Sequence, residues 1–477
     1  TGSPHDHGGV VAGAHVLPAR SRWLVLTTVG IGTFMSALDG SVVNTLLPVL
    51  SHALQTSIAG IEWVTTIYLL VISGLLLSIG RAGDLFGHKR LFLAGFALFV
   101  LGSALCGLAN SAHTLVAMRV IQALGAAMLM ATSPAILTRS FPSRQRGRAL
   151  GAQGTFTYLG LTVGPSLGGW LAQAFGWRSV FYINVPVGIG AIALAMRSIG
   201  DDHVAKAEER FDFLGATVFT AGLVALMIAL NQGHAWGWAS PLTLGVLLGG
   251  LVLLAAFIQV ERTRPAPMLD LSLFGSRTFS ASAASALLNY ACVYAVTFVL
   301  PFLLIQGRGL GTAQAGLVLT AQPIVMAVVA PISGTLSDRI GSRGLATAGM
   351  VLLAAGLVAL ALLTAHGSLH AIAGALALVG LGVGIFVSPN NSALMGAAPP
   401  FRQGVASGVL ATSRNVGMVL GVGFAAAIFT TVAAHAASPG EGLVAGIRTS
   451  LLAAAGVAMV GALTSAVRGS AHHRATA

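Results

Sequence analysis

Three charged side chains stand in stretches of sequence that are otherwise strongly apolar. Asp39 lies sixteen residues into a run that begins at Trp23, Arg119 falls within residues 113–138, and Arg414 lies about ten residues into residues 404–430. A helix rises 1.5 Å per residue, so Asp39 stands about 24 Å along its helix, well inside a hydrocarbon layer about 30 Å thick. An ionised group there costs ~2.5–3.5 kcal/mol even on lenient insertion scales, which makes an intramembrane acid a marker of proton or ion handling. The plainer alternative is a carboxylate that pairs with a neighbouring helix. Arg119 carries the same cost unless it is paired or hydrated, and Gln122 shares its helix face at i+3. Arg414, beside Asn415, can line a cavity or neutralise a helix end.

Other polar residues in apolar segments are Asn289, Tyr290, Tyr294, Gln322 and Asn390. They can read a substrate, and helix–helix hydrogen bonds explain each of them equally well. Glu62 and Trp63 open the second apolar segment, where an interfacial acid beside a belt tryptophan needs no special role. Cys106 and Cys292 are the only cysteines and exclude a disulfide scaffold or a multi-cysteine metal site. No metal site is expected, and His5, His7 and His15 read as part of a solvated tail. An enzyme would need a nucleophile–base set or metal ligands on adjacent helix faces; nearly all the acids and histidines fall in loops or tails, so no catalytic residues are expected.

The elements that must position these residues follow from composition. Of the 477 residues 55% are hydrophobic and 8% charged, and the mean hydropathy is +0.86, against about 25% charged residues in soluble chains. Apolar runs long enough to span occur at about 23–50, 59–80, 91–110, 113–138, 149–174, 178–198, 213–231, 241–260, 279–305, 314–336, 344–365, 369–395, 404–430 and 442–467, fourteen in all. Residues 1–19 have no apolar core, so a cleavable signal peptide is not expected. With the N-terminus inside, the inside segments hold twenty Lys and Arg and the outside segments three, Arg178, Arg308 and Arg448. That asymmetry predicts a cytoplasmic location for both termini. The net charge of +12 is therefore a membrane-topology charge, and no nucleic-acid partner is expected.

The chain repeats itself. Gly80-Arg81-Ala82-Gly83-Asp84-Leu85-Phe86-Gly87 matches Gly334-Thr335-Leu336-Ser337-Asp338-Arg339-Ile340-Gly341 at an offset of 254. Ser133-Pro134 matches Ser388-Pro389 at 255, and Gly147, Gly151, Gly160 and Gly164 match Gly404, Gly408, Gly417 and Gly421 at 257. Six helices thus repeat as six more, and the hairpin at about 213–260 has no copy. The expected organisation is a tail (1–21), a six-helix half (22–200), an inserted two-helix hairpin with flanking loops (201–278), a second six-helix half (279–468) and a tail (469–477). Two parallel six-helix halves are a transporter layout with the site between them at the midplane.

Three motifs carry a family resemblance. Leu38-Asp39 through Val42-Val43-Asn44 to Pro48 resembles the first-helix motif of the fourteen-helix drug:proton antiporter branch of the major facilitator superfamily. Gly80 to Arg90 resembles the loop motif shared across that superfamily. Gly160 to Gly164-Pro165 and Gly168-Gly169 resembles its antiporter fifth-helix signature. The resemblance covers Trp23 to Arg468. It implies an all-α integral membrane protein of the major facilitator fold, with fourteen transmembrane helices.

The resemblance also implies roles. Asp39 and Arg119 would couple protons, a carboxylate pulled one way by burial and the other by a guanidinium being able to change state with its surroundings. Asp39, Asn44, Arg119, Gln122, Asn289, Tyr290, Tyr294, Gln322, Asn390 and Arg414 are the candidate cavity residues. Gly80, Arg81, Asp84, Gly87, Lys89, Arg90, Asp338 and Arg339 would form a cytoplasmic gate, with Asp84 facing the positive N-terminal end of a helix in the other half. Leu85 stands where many relatives carry arginine, and Asp338-Arg339 is the candidate to supply that pairing. Gly160, Gly164 and Gly168 form one small-residue face, and Pro165 permits a kink. In antiporters that face shapes the interface between halves.

The function expected is proton-coupled export of small hydrophobic or cationic compounds by alternating access. The alternative is the same fold exporting a lipid, an amino acid or a self-made antibiotic. The expected partners are substrate, protons and the bilayer of a bacterial cytoplasmic membrane. The chain is expected to be monomeric and to use no cofactor beyond the proton-motive force.

Overall fold

The structure is a computed structural model that describes residues 19–468, apart from 57, 201–210, 238–239, 265–266, 311 and 437. His5, His7, His15 and residues 201–210 of the loop before the hairpin lie outside the described residues. Among the described residues there is no strand. The first repeat folds as α1 (Ala19–Ala53), α2 (Ile58–Phe86), α3 (His88–Gly107), α4 (Ala112–Ser140), α5 (Arg146–Phe175), α6 (Ser179–Tyr182) and α7 (Asn184–Ser198). The unrepeated segment forms α8 (Phe213–Trp236) and α9 (Pro241–Thr263). The second repeat forms α10 (Arg277–Pro301), α11 (Thr312–Leu319), α12 (Ala321–Ile340), α13 (Ser342–Leu363), α14 (Leu369–Ala397), α15 (Gln403–Ala434) and α16 (Pro439–Ala466).

Thirteen stretches among the described residues are long and apolar enough to cross a membrane. The one expected span not among them is α5, rich in glycine and threonine and the least apolar of the long helices. Two expected spans are each interrupted. Ile183 separates α6 from α7 and Thr320 separates α11 from α12, in both cases three residues before a proline, Pro186 or Pro323. A proline has no N–H to give the carbonyl four residues back, so the ladder loosens at that point.

Packing reproduces the sequence repeat. In the first repeat α1 lies along α5, α3 and α2 along α4, and α7 against α3; in the second, α10 lies along α15, α13 and α12 along α14, and α16 against α13. The repeats meet chiefly through two crossings, α5 with α12 and α2 with α15, flanked by smaller contacts of α5 with α14 and α4 with α15. Helices α8 and α9 pack chiefly on each other, and α8 rests on α2, where Thr220 donates to the Gly74 carbonyl at 2.9 Å. The matching loop glycines have one physical reason. Gly87 and Gly341 are the residues preceding α3 and α13, with φ of 99° and 91°, a backbone conformation that side-chain-bearing residues rarely adopt.

Candidate functional site

Asp39 is 2% exposed at the middle of α1. Its Oδ2 accepts from Arg119 Nη1 at 2.5 Å, and its Oδ1 accepts from Gln122 Nε2 at 2.8 Å and from Asn184 Nδ2 at 3.4 Å. Arg119 is itself fully buried. It donates to Gln122 Oε1 at 2.7 Å and through Nε to the Val64 carbonyl at 3.2 Å, and its guanidinium lies 4.0 Å over the Tyr68 ring. Gln122 also donates to Ser103 Oγ at 2.7 Å. An ionised carboxylate only accepts, a guanidinium only donates and an amide does both, so Gln122 ties the two charges into one network. Every helix in this network, α1, α2, α3, α4 and α7, belongs to the first repeat. Asp39, Arg119 and Gln122 were expected to line a cavity. Here they sit inside one repeat, closed off from solvent, with the two charges neutralising each other and Arg119 Nη2 left without a hydrogen-bond partner.

The two loop motifs are brought to the same end of the molecule. Asp84, 4% exposed, accepts from the amides of Gly404 and Val405, both at 2.9 Å, at the start of α15. Asp338 accepts from the amides of Gly147 and Arg148, at 2.9 and 3.0 Å, at the start of α5. Each acid thus caps the positive end of a helix in the opposite repeat. The approach is backbone on backbone: a Cβ on Gly80 would run into the Gly404 carbonyl, and one on Gly334 into the Gly147 carbonyl. The pairing supplied near Leu85 differs from the expected one. Arg339 is exposed, and a cation that reaches Asp84 is Arg139 of α4, at 3.4 Å, which also donates to the Pro400 carbonyl at 3.0 Å. His88 Nε2 lies 3.3 Å from Asp84. Arg81 is buried, Lys89 half-buried and Arg90 exposed.

A second polar group is formed by side chains of α5, α10 and α15. The hydroxyls of Tyr158 and Tyr290 meet across the two repeats, with Tyr294 one turn further along α10. The Arg414 guanidinium lies 5.9 Å from the Tyr290 ring centroid. The neighbouring Asn415 donates to Ser73 of α2 at 3.0 Å, the other repeat crossing.

Three expected cavity residues are placed elsewhere. Asn289 is buried with its amide on Met350 Sδ at 3.3 Å. Asn390 is buried between the Ser282 carbonyl, at 3.1 Å, and the Arg468 guanidinium. Gln322 is buried where α12 crosses α14. Asn289 and Asn390 thus bond to neighbours within the second repeat, and the Gln322 backbone packs against Gly380. The small face of α5 also differs from expectation. Gly160, Gly164 and Gly168 face Leu38, Ser41 and Val42 of α1, inside the first repeat, and the side of α5 that meets the second repeat carries Gly147, Gly151 and Thr155. Gly169 has open space beside it. The side chains of Asn44, Glu62 and Pro165 lie outside the described residues.

Tyr68, Ser103, Asn184 and Tyr158 were not singled out from sequence. Asn184 carried a usable signal, an amide in an apolar stretch two residues before a proline. Tyr68, Ser103 and Tyr158 looked like ordinary helix residues.

The family model described as Major Facilitator Superfamily matches residues 29–422. The chain is 36% identical over 410 residues to the riboflavin transporter RibZ of Clostridioides difficile, covering 86% of this chain and 89% of that protein. It is 34% identical over 403 residues to the multidrug resistance protein Stp of Mycobacterium tuberculosis, covering 84% of this chain and 75% of that one. The crystal structure of the human transporter MFSD10 superposes with a TM-score of 0.66 at 17% identity, over 94% of this chain and 100% of that one, a likeness of fold alone.

Proposed function

The chain belongs to the major facilitator superfamily, a multi-pass membrane transporter and not an enzyme, and from that premise we propose that it is a proton-coupled antiporter exporting small, largely apolar organic compounds by alternating access. The observation that carries the proposal is the Asp39–Arg119 pair at 2.5 Å, buried mid-helix. Protonation of Asp39 leaves Arg119 without its counter-ion while Gln122, the Val64 carbonyl and the Tyr68 ring still hold it in place. A network with two such arrangements, one per protonation state, is what a coupling site requires. Drugs, dyes and antibiotics are the cargo class favoured by the likeness to Stp. A vitamin-like aromatic metabolite is the second reading, favoured by the likeness to RibZ. Cationic cargo, expected alongside hydrophobic cargo, draws no support from this geometry, since Asp39 at mid-helix is already paired with Arg119.

In this reading α5 is a fourteenth crossing, residues 22–200 and 279–468 are the two moving halves, and residues 201–278 are the inserted hairpin. The end closed by Asp84 and Asp338 is cytoplasmic, as are both termini, in a bacterial cytoplasmic membrane. The protein works as a monomer, needs no cofactor and is driven by the proton gradient, whose electrical part is worth about 2.3 kcal/mol per charge per 100 mV. Everted membrane vesicles test the proposal. Acidifying the lumen should drive substrate uptake by the wild type and not by Asp39→Asn. Equal uptake against a gradient by Asp39→Asn would remove Asp39 from coupling.

A further inference from the structure

We propose, resting on the transporter reading above, that Arg414 with Tyr158, Tyr290 and Tyr294 is the recognition site for the acidic group of a planar aromatic monoanion. Arg414 is the twelfth residue of α15 and so stands far from either helix end. It has no ion-pair partner among the described residues, and its Nε is shielded from solvent with no hydrogen-bond acceptor. The other deep arginine, Arg119, is neutralised by Asp39. The charge left uncompensated at the junction of the repeats is therefore a single positive one. Arg414 is half-buried, and a cation partly withdrawn from water without a counter-ion carries a cost that a ligand supplying the counter-ion removes.

The surroundings specify the rest of the ligand. The Tyr290 ring lies under the guanidinium at 5.9 Å, with Tyr294 one turn further along α10 and Tyr158 contributed by α5. A guanidinium is a planar fork of donors that takes a carboxylate or enolate bidentately and stacks on flat rings. Phenol rings add apolar, planar walls with one donor each. One arginine balances one negative charge, so a monoanion fits and a diphosphate does not. A cation is repelled. Tyr158 belongs to the first repeat and Tyr290 to the second, so a ligand lodged between them touches both moving bodies.

Two consequences follow. Substrate charge and proton are read at separate places, Arg414 in the second repeat and Asp39 in the first, so cargo binding expels the proton through the change of conformation and not through a shared carboxylate. Exchange of one exported monoanion for one imported proton also moves two charges inward in the same electrical sense, so transport is electrogenic.

Three probes of one shape separate the possibilities: anthracene-2-carboxylate, anthracene-2-carboxamide and anthracen-2-ylmethylammonium, titrated by fluorescence against the full-length protein in nanodiscs. The carboxylate should bind at least tenfold more tightly than the other two. Arg414→Gln should bring its affinity down to that of the amide, Arg414→Lys should keep part of the preference, and Tyr290→Phe, which keeps the ring, should weaken it severalfold. Equal binding of ammonium and carboxylate overturns the proposal. So does a carboxylate affinity that survives Arg414→Gln, or no carboxylate binding at millimolar concentration. A parallel uptake assay separates this from the transport reading. Proton-driven uptake with no carboxylate preference sinks the site alone, and Arg414-dependent carboxylate binding with no uptake by any probe sinks the transport reading alone.

Discussion

Asp84→Asn should unlatch the end of the molecule that the two loop motifs close. Asp84 receives two amide hydrogen bonds at 2.9 Å from the first turn of α15, with Arg139 at 3.4 Å as a further cation. Asparagine keeps one acceptor oxygen and turns an NH2 group toward the second amide, so one bond is lost and two donors face each other. A hydrogen bond to a charged group contributes about 1.5–3 kcal/mol, and a carboxylate at a partly buried helix N-terminus up to ~2 kcal/mol more. A loss of about 3 kcal/mol changes the ratio of closed to open molecules by roughly 150-fold. Asp338 makes the same pair of bonds with α5 but is half-exposed, so Asp338→Asn should cost less. The double variant should open most. Ser388→Cys is the reporter: Ser388 is fully buried, its Oγ lies 3.3 Å from the Gly147 carbonyl, and the native Cys106 and Cys292 are both buried. Labelling by a membrane-impermeant maleimide, applied from the loop-motif side, should be slow with both acids present. It should speed up about a hundredfold in Asp84→Asn. An unchanged labelling rate in the double variant would refute the latch.

Arg119→Gln leaves Asp39 buried beside neutral groups, and it should lower thermal stability in detergent by about 3–5 kcal/mol. The Asp39→Asn/Arg119→Gln double variant should recover a large part of that loss, and a double variant less stable than Arg119→Gln would contradict the pairing. Gly164→Val should fold poorly because its Cβ would overlap Ser41 Oγ, and Ser41→Gly should restore much of the yield in size-exclusion chromatography. Gly404→Ala sets a methyl group against the Gly80 carbonyl and close to the Asp84 carboxyl and the His88 ring, and should reproduce the maleimide labelling of Asp84→Asn with the carboxylate still in place.

What the sequence made legible was whatever its repeat or its cost in lipid betrayed. The offset of 254 tied Asp84 to Asp338 and Gly87 to Gly341, and an acid facing a helix start in the other half could be anticipated because helix termini attract charge. Asp39 and Arg119 stood out because nothing else justifies charge at that depth. Their mutual distance, and their enclosure by Ser103, Tyr68 and Asn184, could not be read, since those residues are unremarkable one at a time. Asn289, Gln322 and Asn390 looked like cavity residues for the same reason that Tyr290 did. A lone amide in an apolar helix says that it needs a partner and not where the partner lies. The face of α5 illustrates the limit again. Spacing marked Gly160, Gly164 and Gly168 as a close-packing surface, but which helix approaches it is decided by tertiary packing. The breaks at Ile183 and Thr320 were signalled by the prolines three residues later, within segments whose hydropathy was continuous.

The central claim is that Asp39 carries the coupled proton while cargo is read elsewhere. Its most direct test is proton release on substrate binding, measured with a pH indicator in weakly buffered detergent solution. Binding should release close to one proton per molecule from the wild type and from Arg414→Lys, and none from Asp39→Asn at saturating substrate. Proton release of the same size from Asp39→Asn would contradict the account.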